Sequence, residues 1–212
     1  MYIASHDLQE PLKTIGGLIQ LLKEDYGEDF NEEALEYCNF IGNSASRMQS
    51  LIKDLLEYSR IGQDEKVEEI NTNKLIDEIK SDLANVIERT NASLEVEELP
   101  ALKGSKTEFR LLFQNLISNA IKFRKPGYSP VVKIGVKDPN TFYVSDNGIG
   151  IEEKNQDQIF KIFKRLHGKS EYEGSGIGLA HCQKIVNKNG GEIWITSKPG
   201  EGSTFHFSIK QQ

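Results

Sequence analysis

The sequence contains little cysteine, no long apolar run and no excess of positive charge, and each shortage excludes a class of protein. Its two cysteines, Cys38 and Cys182, fit no metal-binding spacing, and their scarcity indicates a reducing, cytoplasmic compartment. No apolar run approaches the roughly 20 residues that cross a bilayer, and no signal peptide is recognisable. The formal net charge of -6 argues against nucleic acid as a partner, because such proteins usually carry a basic stripe.

The length bounds the number of domains. The 212 residues are enough for one large domain or two small ones, and a hydrophobic share of 37% is typical of globular proteins. The helical pattern is already present around Ile3. We therefore expect the chain to be a piece of a longer protein, with a further module upstream.

Residues 1–61 predict two helices joined by a short loop. In the first helix, apolar residues recur at spacings of three to five: Ile3, Leu8, Leu12, Ile15, Ile19 and Leu22. In the second, which Asn31 is expected to cap, the spacing alternates between three and four: Cys38, Ile41, Ala45, Met48, Ile52 and Leu55. A single hairpin has too small a core to be stable alone. We therefore expect a homodimer through residues 1–60 that forms a four-helix bundle.

After a polar linker at 62–69, the pattern changes to mixed α and β, and residues 70–212 are predicted to form a second domain. The first expected elements are a helix at 72–89 capped by Thr72, a strand at 93–96, and a helix from Ser105 to Phe123 with Glu108 completing a capping box. A hairpin of 131–137 and 141–145 follows, and then a long mobile loop with short helical pieces at 152–173. The last expected elements are a helix at 176–188 and a hairpin of 192–197 and 203–209. The predicted fold class is α+β: a dimeric helical hairpin followed by an α/β sandwich.

The first cluster with chemical potential lies on the helix that begins at Ser105. Asn115, Asn119 and Lys122 are spaced at i, i+4 and i+7, so they share one face of that helix. An amide oxygen can ligate a hard cation such as Mg2+, and a lysine can hold phosphate oxygens. Taken alone, the cluster is more typical of a solvated polar face.

The second cluster is Asp-Asn-Gly-Ile-Gly at residues 146–150, directly after a strand. Gly148 and Gly150 allow the backbone to approach a flat ligand, and the carboxylate of Asp146 can accept a hydrogen bond from an exocyclic amine. The alternative is an ordinary turn.

Two further glycine-rich segments follow. Residues 174–179 read Gly-Ser-Gly-Ile-Gly-Leu and open a helix, where free N–H groups favour an anion. The dinucleotide fingerprint is excluded because Leu179 stands where that pattern has its third glycine, and no Walker A pattern occurs. Residues 200–205 form a turn in which the hydroxyls of Ser203 and Thr204 could reach the edge of a base.

In order and spacing, these four clusters resemble the N, G1, G2 and G3 boxes of the histidine kinase branch of the GHKL ATPases, which have the Bergerat fold. Residues 160–165, Phe-Lys-Ile-Phe-Lys-Arg, resemble its F box, inside the loop called the ATP lid. The resemblance covers essentially the whole chain and implies Mg2+ and ATP as ligands. It implies that Asn119 ligates Mg2+ with Asn115 nearby, and that Lys122 and Arg165 contact the phosphates. For the base, it implies that Asp146 accepts from the adenine amine, that Gly148 and Gly150 leave room for the ring, and that Thr204 supports the base. It further implies that Gly174, Gly176 and Gly178 hinge the lid, and that Phe123 and Leu179 line the pocket.

The first helix carries Ser-His-Asp-Leu-Gln-Glu-Pro-Leu at residues 5–12, which resembles the H box of phytochrome-type histidine kinases. The apolar seam puts His6 about 100° off the bundle interior, and Pro11 is expected to bend the helix one turn later. The resemblance implies that His6 accepts the γ-phosphoryl group, that Asp7 orients its ring, and that the phosphoryl group passes to an aspartate of a response regulator. Glu10 stands where many relatives have Thr or Asn, which puts phosphatase activity in doubt.

Two other readings stay open at the level of the sequence. The chain could be a GHKL ATPase of another class, which uses ATP hydrolysis for conformational work and forms no phosphohistidine. It could also be a dimeric, non-enzymatic scaffold for a response regulator, in which case nucleotide binding would be absent.

Overall fold

The computed structural model describes residues 2–63, 66–166, 172 and 174–210, with the backbone alone for residues 2–6. It divides the chain into two compact units, Met1–Ser59 and Arg60–Gln212. Within the described residues, no helix is both long and apolar enough to cross a membrane.

The first unit is the expected helical hairpin. Helix α1 covers Tyr2–Tyr26 and continues through Pro11, a 3-10 turn covers Gly27–Asp29, and helix α2 covers Glu32–Arg60. The predicted cap is confirmed, because the side-chain oxygen of Asn31 accepts a hydrogen bond from the backbone N–H of Ala34 at 2.8 Å.

The hairpin buries only a small part of its apolar seam. Leu12, Cys38 and Ala45 are buried between the two helices. Other large apolar side chains of the same seams are 40–56% exposed: Leu8, Ile15, Leu22, Ile41, Met48 and Leu55. The hairpin alone therefore leaves a broad apolar surface uncovered.

The second unit contains five helices and seven strands among its described residues. The strands are β1 (Glu68–Ile70), β2 (Ser93–Val96), β3 (Leu102–Gly104), β4 (Val131–Asp138), β5 (Thr141–Asp146), β6 (Ile193–Lys198) and β7 (Gly202–Ser208). The helices are α3 (Thr72–Asp82), α4 (Ala84–Thr90), α5 (Lys106–Lys122), α6 (Glu153–Gln156) and α7 (Gly178–Lys188).

The main sheet and three helices make a two-layer sandwich. Its strand order is β2-β4-β5-β7-β6, with β2 parallel to β4 and the other neighbours antiparallel. Helix α5 packs on β4 and β5, α7 packs on β6, and α3 and α7 both contact α5. Aromatic rings fill the layer between them, where Phe142 stacks on Phe207 and both meet Phe113 edge to face.

The predicted hairpins, the strand at 93–96 and the helix capped by Ser105 are confirmed. The prediction of a single helix at 72–89 is wrong. The chain leaves the helical conformation at Leu83, so that α3 and α4 are separate helices. The predicted cap, Thr72, is wrong as well. Asn71 caps α3, because its side-chain oxygen accepts a hydrogen bond from the N–H of Lys74 at 2.9 Å. Thr72 is buried and donates instead to the carbonyl of Pro100.

The segment predicted as a linker is partly built into the second unit. Glu68 and Glu69 of that segment lie in β1, which pairs with β3. A three-residue strand is too short for its alternation to be recognised in a sequence. Ile61, predicted as the last residue of the first domain, is 6% exposed and belongs to the core of the second unit. His181 is 2% exposed on the inner face of α7.

Candidate nucleotide site

The candidate site lies in the second unit, where the last turns of α5 meet the N-terminus of α7. A Cβ atom added at Gly178, the first residue of α7, would lie 2.7 Å from the side-chain oxygen of Asn115. The amide nitrogen Nδ2 of Asn115 is buried and has no hydrogen-bond partner among the described residues. A buried amide without a partner is costly, so this point of the site is suited to a polar ligand.

Asp146 ends β5 at the second side of the site. Its Oδ1 accepts from the backbone N–H groups of Gly148 at 2.8 Å and Ser203 at 3.2 Å. Burial raises the pKa of this carboxyl group to about 6, although both hydrogen bonds and the charge of Lys125 act in the opposite direction. Oδ2 has no donor among the described residues, so it is the oxygen available to an exocyclic amine.

The loop after β5 is held tightly against its neighbours. A side chain at Gly148 would strike the carbonyl oxygen of Phe123, and one at Gly150 would strike that of Lys198. The N–H of Ile149 donates to the same Phe123 carbonyl at 3.0 Å. Glycine is therefore required at both positions for the loop to connect the end of α5 with the β6–β7 turn.

The β5–β7 pair supplies hydroxyl groups beside Asp146. Ser145 and Thr204 face each other across the ladder, and their hydroxyl oxygens are 2.8 Å apart. The hydroxyl of Ser197 lies 2.9 Å from that of Ser203 and accepts from the N–H of Ile151. These bonds fix the turn that presents the Ser203 N–H to Asp146.

The described part of the segment before α7 closes over the end of α5. Arg165 donates to the carbonyl oxygens of Gly174 at 2.9 Å and Tyr172 at 2.5 Å. The ring of Tyr172 lies 4.9 Å from that of Phe123, and the ammonium group of Lys122 lies 4.3 Å from the centre of the Phe123 ring. Arg165 therefore holds Tyr172 and Gly174 in place, and these two residues lie against Phe123 and Lys122 respectively.

Within the segment that resembles the F box, the two phenylalanines differ. Phe160 is buried and meets Phe205 edge to face, with ring centres 6.5 Å apart. Phe163 is 56% exposed and has a φ of +64°, a conformation that costs energy for a residue with a side chain. Phe160 thus anchors the segment to the sheet, whereas Phe163 faces solvent.

The chemistry of the site is that of a nucleotide pocket. It combines a partly buried carboxylate, two helix-borne amides and a lysine near a glycine-rich helix start. Among the residues that the structure describes, no group of three His, Cys, Asp or Glu side chains could hold a metal. A cation here would depend on the amide oxygens of Asn115 and Asn119 together with ligand oxygens.

Two family models match the chain in sequence. Residues 104–212 match the model of histidine kinase-, DNA gyrase B- and HSP90-like ATPases, and residues 1–64 match the His Kinase A (phospho-acceptor) domain. The chain belongs to the histidine kinases. The helical hairpin is thus the phosphoacceptor domain, and the α/β sandwich is the ATP-binding domain.

The chain is similar over almost its whole length to curated histidine kinases and phytochromes. It is 42% identical to phytochrome-like protein Cph1 of Synechocystis, over 98% of the chain and 28% of that protein. It is 29% identical to the methanogenesis regulatory histidine kinase FilI of Methanothrix harundinacea, over 99% of the chain and 24% of that protein. The chain therefore spans less than a third of the length of these relatives.

Solved structures of histidine kinases have the same fold. The chain aligns over its full length with 60% of histidine kinase ThkA, in a complex with response regulator protein TrrA, with a TM-score of 0.66 and 28% identity. It also aligns with 46% of full-length ShkA in complex with AMPPNP, with a TM-score of 0.72 and 20% identity.

Most of the residues predicted for ATP binding lie around this pocket. Contacts join Asn115 to Gly178, Lys122 to Phe123 and Gly174, and Arg165 to Gly174 and Gly176. Leu179 is partly buried against the core. His6 and Asp7 belong to the other unit, on α1, and the side chain of His6 lies outside the described residues.

Sequence reasoning missed Tyr172 and Ser197, and it named Ser203 only for its hydroxyl group. Tyr172 covers Phe123, Ser203 holds Asp146 through its N–H, and Ser197 supports the turn. Ser203 was visible as a hydroxyl beside Thr204, but its contribution comes from the backbone. Nothing in the sequence distinguishes Tyr172 from its charged neighbours.

Proposed function

We propose that this chain is the catalytic core of a sensor histidine kinase, in which the second unit binds Mg-ATP and phosphorylates His6 of the first. The observation that carries the proposal is the order of the two matched domains. A phospho-acceptor domain with a His-Asp-x-x-x-Pro helix precedes an ATP-binding domain. The other GHKL classes considered above lack such a helix.

The site residues have distinct roles in nucleotide binding. Asp146 accepts a hydrogen bond from the adenine amine, the close backbone at Gly148 and Gly150 admits the ring, and Thr204 supports the base. Lys122 and Arg165 offset charge on the phosphates. Gly174, Gly176 and Gly178 let the lid move and expose N–H groups to phosphate, while Phe123 and Leu179 line the pocket.

Mg2+ fits the donor set of the site. Magnesium is commonly held by one or two protein oxygens plus substrate phosphates, so the amide oxygen of Asn119 is a suitable ligand and Asn115 lies one turn away. The buried Nδ2 of Asn115, a donor without an acceptor among the described residues, supports an oxygen of the ligand, such as a phosphate oxygen, beside this place. When bound, the ion would neutralise charge on the transferring phosphoryl group.

The transfer itself is a displacement at phosphorus. A ring nitrogen of neutral His6 forms the new N–P bond while the bond from the γ-phosphorus to the bridging oxygen breaks and ADP leaves. Asp7 accepts from the other ring nitrogen and stabilises the positive ring as it forms. The phosphoryl group then passes to an aspartate of a response regulator, and Glu10 puts in doubt the phosphatase reaction, in which water hydrolyses that aspartyl phosphate.

We further propose a homodimer through residues 1–60. The exposed seam side chains of the hairpin, among them Ile41 and Met48, form an apolar surface of the kind that a second hairpin covers in a four-helix bundle. The response regulator would dock near His6 on this bundle.

Autophosphorylation tests the proposal directly. With γ-32P ATP and Mg2+, the wild-type chain should acquire an acid-labile, base-stable label, and His6→Gln should abolish it while calorimetry shows unchanged nucleotide binding. A His6→Gln variant that still labels would refute the assignment. Nucleotide binding without any label in the wild type would favour another ATPase class, and no binding at all would favour a scaffold.

A further inference from the structure

The hydroxyl group of Ser197, near the end of β6, uses its whole hydrogen-bonding capacity. It donates to the carbonyl oxygen of Gly202 at 2.9 Å and accepts from the backbone N–H of Ile151 at 2.8 Å. Its oxygen also lies 2.9 Å from the hydroxyl oxygen of Ser203. Because the only proton of the Ser197 hydroxyl goes to Gly202, Ser203 is the donor in that contact. One proton and two lone pairs are thus all engaged.

The three partners of Ser197 belong to the two segments that hold Asp146. Ile151 lies in the loop after β5, whereas Gly202 and Ser203 begin β7. The two backbone N–H groups that bind Oδ1 of Asp146 come from the same loop and the same strand. The Ser197 hydroxyl therefore ties together the two segments between which this carboxylate is fixed.

Gln156, the last residue of α6, bridges the same junction with its side chain. Its Nε2 donates to the carbonyl oxygens of Ile151 at 3.1 Å and of Ser197 at 3.0 Å. One amide group thus joins the loop after β5 to the end of β6 with both of its N–H bonds. A carboxylate held in a fixed orientation binds its ligand more tightly than one that is free to turn, because less conformational entropy is lost on binding.

We propose that Ser197 and Gln156 are positioning residues that hold Asp146 toward the exocyclic amine of the base and thereby set the preference for a 6-aminopurine. They act through Asp146 and contact neither the amine nor the phosphates. Both residues lie in the second unit, and the inference rests on the proposed role of Asp146 in nucleotide binding.

The test compares ADP with purine riboside 5′-diphosphate, which lacks the 6-amino group. Calorimetry at pH 8, where Asp146 is ionised, should give a Kd for this analogue about tenfold or more above that for ADP in the wild-type chain. Ser197→Ala and Gln156→Met should each lower this ratio about fivefold, because the Kd for ADP rises while that for the analogue stays within about twofold of wild type. Ser197→Thr keeps the hydroxyl group and should restore the ratio.

A matched control is Ser208→Ala at the other end of the β6–β7 hairpin, where the hydroxyl also accepts a backbone N–H, that of Glu192, at 3.0 Å. This substitution should leave the ratio unchanged even where it lowers thermal stability as much as Ser197→Ala does.

The inference is overturned if both Kd values rise by the same factor in Ser197→Ala and Gln156→Met, as expected for a merely structural role, or if Ser208→Ala lowers the ratio equally. A wild-type ratio near one would refute the contact between Asp146 and the adenine amine, and the positioning role with it. A wild-type chain that binds neither nucleotide would refute the proposed function itself.

Discussion

At the scale of single residues, Asp146 shows how tertiary structure changes an ordinary side chain. In the sequence it is one acid of an Asp-Asn-Gly turn. In the folded protein, burial raises its pKa to about 6, while the N–H groups of Gly148 and Ser203 hold its Oδ1 in place. Asp146 therefore changes between its neutral and ionised forms near pH 6, where nucleotide binding can be measured.

This pKa predicts a pH dependence of nucleotide affinity. The ionised carboxylate is a stronger hydrogen-bond acceptor for the proposed adenine amine than the protonated acid is. The ionised fraction of Asp146 falls as the pH falls through about 6. Between pH 7.5 and 5, the Kd for ADP should rise about tenfold, because the affinity falls tenfold for each pH unit well below the pKa.

The matched variant is Asp146→Asn, whose amide oxygen keeps the two backbone hydrogen bonds but does not titrate. Calorimetry at each pH should give a weaker Kd for the variant, and the ratio of the two Kd values cancels protonation of the nucleotide phosphates. A ratio that does not change with pH would contradict the assignment of Asp146 to the adenine amine.

At the scale of elements, the start of α3 shows why helix boundaries are difficult to predict. Asn71 and Thr72 are adjacent, and both residue types are common caps. The choice depends on tertiary contacts, because the hydroxyl of Thr72 is buried and donates to the carbonyl of Pro100. Asn71 is left to cap the helix.

We expect Asn71→Ala to lower the free energy of unfolding by about 1 kcal/mol, since the N–H of Lys74 loses its acceptor. Urea denaturation followed by circular dichroism would measure the change. The control is Ser81→Ala on the same helix, an exposed residue whose hydroxyl bonds to the carbonyl of Asp77 and whose loss should cost less than about 0.5 kcal/mol. Equal effects of the two substitutions would show that Asn71 is not the cap.

At the scale of the whole molecule, the two units differ in how completely they bury their apolar residues. The sandwich encloses a continuous core with several side chains at 0% exposure, such as Phe109, Leu112 and Phe113. The hairpin buries few residues and exposes most of its seam. A stable hairpin therefore requires a further apolar surface, which the second copy of the proposed dimer would supply by symmetry.

The proposed dimer predicts that Ile41→Asp, at a seam position 45% exposed, converts the protein to a monomer in sedimentation at micromolar concentration. A charge buried in a helix bundle without a partner is strongly unfavourable. Phe40→Asp, at the adjacent, 72% exposed position off the seam, should leave the dimer intact. Dissociation by both variants, or by neither, would argue against this seam as the interface.

The sequence alone was sufficient for the helices of the hairpin, the two β-hairpins of the sandwich and the order of the glycine-rich clusters. Apolar periodicity, caps such as Asn31 and Ser105, and turn residues are local signals, and the family resemblance depends on their order. Only the tertiary structure decided what depends on distant contacts. It determined that Ile61 enters the core, that Glu108 binds Gly62 and Lys188, that Tyr172 covers Phe123, and that burial moves the pKa of Asp146. Burial and long-range hydrogen bonds arise only when remote segments pack together, so no local pattern records them.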